Sequence, residues 1–378
     1  MERATKLRTT GYITFLISGL CTIATGIVVS LLQEIYGFSY AFTGTLLSCM
    51  SIGNVASTFA AGMLPSKIGT RSTVLILCFG YFLGYSLMTV SGVAAVLIFA
   101  FAAVGLAKGC ALNSCTILVG NNSPDRSKGI SILHTCYALG SLLCPFVIGI
   151  SSGWGRKSPM LTVAALGLVM WLIFLAVGLD GRPSKTEQKE KMQLDFLKNR
   201  KFWLVTGLIF CQNAAENSVI GWLVTYYRGQ GILSGNLSTY AVSVLWAASL
   251  SARILLTFFF PIKRTFRALA IMGGSCTVLY GAMMFAHQPV LAIILLFAFS
   301  FAIAGVNPTG VASVGRMMSP ASMGVLLPTA AVGAIVMPWL IGVLADTVSL
   351  QVGMMSNLVP CLGIMIFALL VRKLEKEA

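Results

Sequence analysis

The sequence predicts an all-α membrane protein, with twelve transmembrane helices in two six-helix bundles. Three observations predict it. First, 57% of the 378 residues are hydrophobic and only 10% are charged, whereas about a quarter of a soluble chain is charged. Second, apolar runs of about 20 residues recur from end to end, each long enough to cross the ~30 Å hydrocarbon core of a bilayer. Third, one long polar connector, residues 181–200 (GRPSKTEQKEKMQLDFLKNR), separates the runs into two sets of six. Backbone groups in hydrocarbon must be paired within the segment, so each run closes on itself as a helix. The expected domains are an N-terminal bundle 1–180, a linker 181–200 and a C-terminal bundle 201–378.

The runs lie at 11–32, 40–64, 72–91, 94–120, 128–151, 159–179, 201–227, 236–260, 267–286, 289–312, 321–345 and 348–371. The first lacks a small-residue cleavage site and reads as a retained helix rather than a signal peptide. It carries no acid before Glu34 at its outer end. The second ends in the basic turn PSKIGTRS, which leads into the third. The fourth holds an intramembrane cation, Lys108, and a small face of Gly105 and Gly109 suited to close helix packing, followed by Asn113. Lys108 and Asn113 are five positions apart, about 140° around a helix, so they do not point in one direction. Lys108 lies too near mid-helix to snorkel, and an intramembrane cation is a functional candidate by default. On the fifth run His134, Ser141 and Pro145 share a face, with Ser131 and Tyr137 flanking. His134 is either a substrate hydrogen-bonder or a satisfied structural histidine.

The seventh run is the most polar. Gln212, Asn213, Glu216, Asn217 and Tyr227 fall in one wedge of less than half its circumference. That wedge is either a solute or ion site or a polar lock against a neighbouring helix, since amides also bridge membrane helices. On the eighth run Trp246, Ser249 and Arg253 share a face. Arg253 is a candidate contact for an anionic or hydroxylated substrate, or an ion-pair partner for Glu216. On the tenth, Asn307 and Pro308 read as a local break that frees backbone carbonyls. Trp154 reads as an interface anchor, Trp222 as packing, and His287 as an outer-loop residue without a role.

The net charge of +15 is not a nucleic-acid footprint, because its distribution follows the positive-inside rule. With both termini in the cytoplasm, 21 of the 26 Lys and Arg residues fall on cytoplasmic segments. The ten cysteines form no CxxC pair and read as free, buried thiols. Two distant histidines, with no HExxH and no paired-Asp motif, argue against an enzyme. No GxxxxGK[ST] loop is present, which argues against an ATP-driven pump. No cofactor and no metal site is expected.

An internal repeat is visible. SILHTCYALGSLLCPFVIGI (131–150) aligns with GVLLPTAAVGAIVMPWLIGV (324–343) at a constant offset of 193, pairing Gly140 with Gly333 and Pro145 with Pro338. Pro65, Lys67 and Arg71 fall opposite Pro261, Lys263 and Arg267 at an offset of 196. Duplicated six-helix bundles of this kind resemble the parallel repeat of major facilitator transporters. PSKIGTRS is similar to the loop of that superfamily which normally reads G-x-L-x-D-x-x-G-R, with Ser66 standing in place of the acid. AENSVIGWLVTYY resembles the Glu, Gly, Trp, Tyr pattern of the fucose–galactose–glucose:proton symporter branch. WAASLSARIL resembles the Trp…Gly-Arg of that branch, with Ala252 for Gly. GLAKGCALN and LHTCYALGSLLCP resemble its helix 4 and helix 5 motifs.

The resemblance implies a secondary active transporter, in which helices 1, 4, 7 and 10 line a central cavity and one bundle rocks against the other. It implies a sugar or sugar-like solute, which the cations here would allow to be acidic, moved by H⁺ or Na⁺ symport. A proton-coupled drug efflux antiporter or an organic-anion carrier is the alternative. The substrate-contact candidates are then Lys108, Asn113, His134, Tyr137, Gln212, Asn213, Asn217, Trp246, Arg253 and Asn307. Glu216 and Arg253 are the ion-coupling candidates. The expected partners are a small-molecule substrate, the coupling ion and the lipid bilayer, with the chain a monomer in the cell (inner) membrane.

Overall fold

The computed structural model describes residues 2–178, 195–259, 262, 264–315 and 320–377. Every regular element among them is helical. The chain divides into two compact units, Met1–Thr186 and Glu187–Ala378. The first holds α1 (Glu2–Tyr36), α2 (Tyr40–Ile68), α3 (Thr70–Cys78 and Gly80–Val90), α4 (Ala94–Asn122), α5 (Arg126–Ser152) and α6 (Ser158–Ala176). The second opens with a 3-10 turn, Asp195–Lys198, followed by α7 (Arg200–Gly229), α8 (Gly235–Phe258) and α9 (Thr265–Met284). It continues with α10 (Pro289–Ala304 and Val306–Ala312), α11 (Pro320–Thr347) and α12 (Leu350–Met355 and Leu358–Glu377). Residues 181–194 of the linker, with Pro261, Lys263 and Arg316, lie outside the described residues.

Ten of these helical spans are long and apolar enough to cross a membrane by length and composition. The other two, α2 and α7, are 29 and 30 residues long. In α7 the shortfall has a plain cause, because Gln212, Asn213, Glu216 and Asn217 interrupt its apolar run. Several starts are set by short polar side chains that accept from the first turn. Ser39 takes the Phe42 N–H at 3.2 Å, Asp125 the Lys128 N–H at 3.0 Å, Asn199 the Lys201 N–H at 2.9 Å and Ser349 the Val352 N–H at 3.2 Å. Between α2 and α3 the chain turns at Gly69, whose φ of 83° favours a residue without a side chain.

Within each unit the helices pair in the same pattern. In the first, α1 packs on α5, α2 on α4 and α3 on α6; in the second, α7 packs on α11, α8 on α10 and α9 on α12. The repeated glycines explain the first pairing. A Cβ at Gly140 on α5 would overlap the Leu16 carbonyl oxygen of α1. A Cβ at the repeat partner Gly333 on α11 would overlap the Phe210 carbonyl oxygen of α7. Gly105 and Gly109 do the same for α4 against α2, where added Cβ atoms would meet Met50 O and Asn54 O. Small residues bring membrane helices to backbone contact in this way, where no hydrophobic force separates protein from lipid tails.

The most enclosed stretches are residues 17–30 of α1 and 221–227 of α7, buried without interruption. Polar groups there are paired locally. Tyr81 on α3 bonds Ser18 at 2.9 Å and Thr22 at 2.7 Å on α1. Trp222 is fully buried and donates its indole N–H to Pro338 O at 3.1 Å, which matches the packing role expected for it. At one end of the second unit Lys201 on α7 meets Glu375 on α12 at 2.7 Å and lies 5.3 Å from the Phe266 ring of α9. In the turn where Ser66 replaces an acid, Ser66 bonds back to Met63 O at 2.6 Å, and Arg71 caps α6 through Leu175 O at 3.1 Å. All ten cysteines are free thiols, and eight of them are buried.

Candidate functional site

The polar wedge of α7 resolves into two pairs. Gln212 donates from Nε2 to Glu216 Oε2 at 2.5 Å, and its Oε1 accepts from Asn307 Nδ2 at 2.8 Å. A chain of three side chains therefore runs from Glu216 through Gln212 to α10. Gln212 is wholly buried, while Glu216 and Asn307 are half-buried. The second pair closes on the backbone, with Asn217 Nδ2 donating to Asn213 O at 2.9 Å. Residues four apart on a helix meet in this way, and here two such pairs sit side by side. Tyr227 does not continue the polar face, since its hydroxyl is committed to Ala292 O at 3.2 Å in a buried contact.

The break in α10 falls at Gly305, two residues before Asn307. Pro308 has no N–H, so it cannot close the helical bond to residue 304, and the helix restarts at Val306. A second Asn reaches the same stretch of α7. Asn357, fully buried at the interruption of α12, donates to Ala215 O at 3.2 Å. Sequence reading gave it no role, because a single Asn in an apolar helix announces no partner. Two interrupted helices therefore reach the turn of α7 that leads into Glu216, at Gln212 and at Ala215.

On α8, Trp246 and Ser249 are buried and Arg253 is half-buried. The Arg253 Nε and the Ser249 Oγ are both shut off from solvent without a hydrogen-bond partner. The sequence leaves Arg253 as a substrate contact or an ion-pair partner for Glu216; in the structure the Glu216 carboxylate accepts from Gln212. Arg228, at the other end of α7, clamps the turn into α8 through Ser238 Oγ at 2.7 Å and Thr239 Oγ1 at 3.1 Å.

In the first unit Lys108 and Asn113 are half-buried on α4, His134 is exposed on α5 and Tyr137 is half-buried. Packing of α1 on α5 gathers an aromatic group that sequence reading missed. The Phe15 ring lies edge-on to His134 at 5.8 Å and tilted over Tyr137 at 5.0 Å. Phe15 gave no warning, being one apolar residue in an apolar helix.

The family model of the Major Facilitator Superfamily matches residues 11–327. The 4-hydroxybenzoate transporter PcaK of Pseudomonas putida is 28% identical over 166 residues, 43% of this chain and 34% of that protein. The gallate transporter of Pseudomonas putida is 26% identical over 178 residues, 43% of this chain and 38% of that protein. The probable sulfoacetate transporter SauU of Cupriavidus necator is 20% identical over 219 residues, 52% of this chain and 51% of that protein. The chain thus spans between about a third and a half of the length of these curated relatives. Among solved structures, the nucleoside transporter NupG superposes with a TM-score of 0.77 at 15% identity, covering 97% of this chain and 99% of that one. A bacterial homologue of the human lysosomal transporter Spinster superposes with a TM-score of 0.74 at 12% identity, covering 98% and 96%. At these identities the superpositions speak to the fold alone, and the fold is that of two six-helix bundles. The chain belongs to the Major Facilitator Superfamily, with the repeated membrane-length helices of a multi-pass membrane protein.

Proposed function

We propose that the chain carries small organic-acid anions across the membrane by alternating access, in symport with a proton or another cation. The observation that carries this reading is Arg253. A guanidinium inside a membrane span has its Nε buried with no hydrogen-bond partner, beside a Ser249 hydroxyl in the same condition. Buried donors are normally satisfied, and an unmade bond to a charged group costs more than a neutral one. A substrate carboxylate or sulfonate supplies the missing acceptor in a charge-assisted bond. Lys108, an intramembrane cation of the first unit, is a separate candidate substrate contact. Asn113, His134, Tyr137, Asn213, Asn217 and Trp246 are candidate contacts for the rest of the solute. The names of the relatives, carriers of 4-hydroxybenzoate, gallate and sulfoacetate, point the same way.

The sugar reading rests on the resemblance in α7. Two residues of that pattern are already engaged within the unit, Trp222 with Pro338 O and Tyr226 with Met284 O at 3.2 Å. They are therefore less available to a sugar ring. A hydrophobic cation would meet Arg253 as a like charge.

The test is ligand-induced thermal stabilisation of purified protein by 4-hydroxybenzoate, gallate, sulfoacetate, fucose and a lipophilic cation. The acids are expected to stabilise it. Arg253→Ala is expected to weaken their binding by roughly tenfold or more, the equivalent of one charge-assisted hydrogen bond. Stabilisation by fucose alone, unaffected by Arg253→Ala, would overturn the reading. The orientation belongs to the same proposal. With both termini and the 181–200 linker cytoplasmic, Lys189→Cys should react with an impermeant maleimide only after permeabilisation, and labelling of intact cells would reverse it.

A further inference from the structure

We propose that Gln212 is a positioning residue whose amide latches the α10 break to the Glu216 carboxylate, and that a proton arriving on Glu216 loosens the latch. The inference rests on the coupling role proposed for Glu216 but not on the identity of the substrate. Gln212 is 0% exposed and engaged at both ends of its amide, to Glu216 and to Asn307. It is thereby withdrawn from the substrate-contact set to which its polarity assigned it.

The donor and acceptor count gives the mechanism. An ionised carboxylate only accepts, so the NH₂ end of Gln212 must face Glu216, and its oxygen is left for Asn307. The bond to the carboxylate is charge-assisted, about twice as strong as a neutral one. A proton on Glu216 converts it to a neutral bond. The new Glu216 O–H also competes for the one oxygen of Gln212, the acceptor that Asn307 uses. Asn307 is then held less firmly, and it stands two residues beyond the interruption at Gly305. That interruption is in close contact with the helix bearing Arg253. A Cβ at Gly305 would come within 2.5 Å of Leu256 Cδ1 on α8 and 3.0 Å of Met272 Cε on α9. Leu256 lies one turn from Arg253 along α8. A change at Glu216 therefore reaches the proposed anion site through one side chain and one helix break.

The titratable groups on the surrounding helices are few. Cys276 on α9 interacts electrostatically with Glu216. The others are Tyr240 and Arg253 on α8, Arg267 and Tyr280 on α9, Cys361 on α12, and Asp346 at the far end of α11. Cys211, Tyr226, Tyr227 and Arg228 lie on α7 itself, and Lys201, Arg372, Lys373, Glu375 and Lys376 cluster at the opposite end of the unit. The described part of α10 contributes none.

The test is amide hydrogen exchange on purified, substrate-free protein at one fixed pH, read on peptides covering 301–311. Gln212→Met, which keeps the volume and removes the amide, is expected to raise exchange there roughly tenfold, and Glu216→Gln severalfold. The double variant should exchange no faster than Gln212→Met alone, because the two act through one contact. Peptides of α9 and α12 serve as controls and should not move. Multiplying effects in the double variant, or unchanged exchange in Glu216→Gln, would refute the latch. If Gln212→Met does not fold, Asn307→Ala replaces it with the same expectation. A second readout is the pH dependence of transport. Asn307→Asp offers the Gln212 NH₂ group a new acceptor in its turned orientation, which favours protonated Glu216. The pH midpoint of uptake should rise by about one unit, a tenfold change in proton concentration, whereas a merely structural role for these residues leaves it in place. Failure of the acid panel with the exchange result intact would remove the organic-anion reading and leave the latch standing.

Discussion

Glu216→Gln is expected to abolish gradient-driven accumulation while leaving exchange of substrate across the membrane close to wild type. A symporter needs one group whose protonation differs between its two access states. Most of the eleven acids lie in loops or tails, and Glu34 and Asp346 lie near helix ends. Glu216 is half-buried in the middle of a 30-residue span, in contact with Gln212. An imposed gradient of one pH unit is worth about 1.4 kcal/mol per proton. With one proton per substrate and the membrane potential clamped, it supports roughly tenfold accumulation in the wild type. The variant amide cannot ionise, so its accumulation ratio should fall to about one, while counterflow changes less than about threefold. Proteoliposome uptake with and without the gradient measures both. Undiminished accumulation would leave Glu216 as a binding or structural residue.

The largest effects on stability are expected at the repeated glycines. Gly140→Val and Gly333→Val each force a branched side chain into the backbone of the partner helix, at Leu16 O and Phe210 O. Neither clash is with the flexible end of a side chain, so the helices must separate. The cost should reach about 3 kcal/mol or more for each, at the upper end of overpacking. The two variants should fail alike, since both sites serve the same contact in their own unit. By contrast Gly281→Ala, where an added Cβ meets nothing nearer than Leu358 Cδ2 at 3.6 Å, should be nearly neutral. Thermal unfolding in detergent separates these outcomes.

The helices were legible because bilayer thickness sets their length and lipid forbids an unpaired backbone. All twelve runs reappear as helical segments, including α7, whose polar residues keep it from looking like an ordinary span. The α10 break was legible from Pro308, although it falls at Gly305, because the missing N–H releases a bond one turn earlier. Gly140 and Gly333 were legible as a matched pair in the alignment. That they are contact points emerges only from the packing of α5 on α1 and of α11 on α7. The pairing within the wedge was not legible. A helical wheel places Gln212, Asn213, Glu216 and Asn217 together, but it says nothing of Asn307, which arrives from another helix and takes the free end of Gln212. For the same reason the sequence leaves open whether Arg253 pairs with Glu216 or serves a substrate, since side chains that share a predicted cavity need not meet. Phe15 and Asn357 carried no local signal at all.

The measurement that bears most directly on the central claim is uptake of radiolabelled solutes into proteoliposomes of the wild-type protein. 4-Hydroxybenzoate, sulfoacetate and fucose are compared, each with an inward proton gradient and with none. Gradient-stimulated entry of one or both acids, lost in Arg253→Ala and with fucose excluded, is the result predicted. Entry of fucose at the expense of the acids, unchanged in Arg253→Ala, would contradict it.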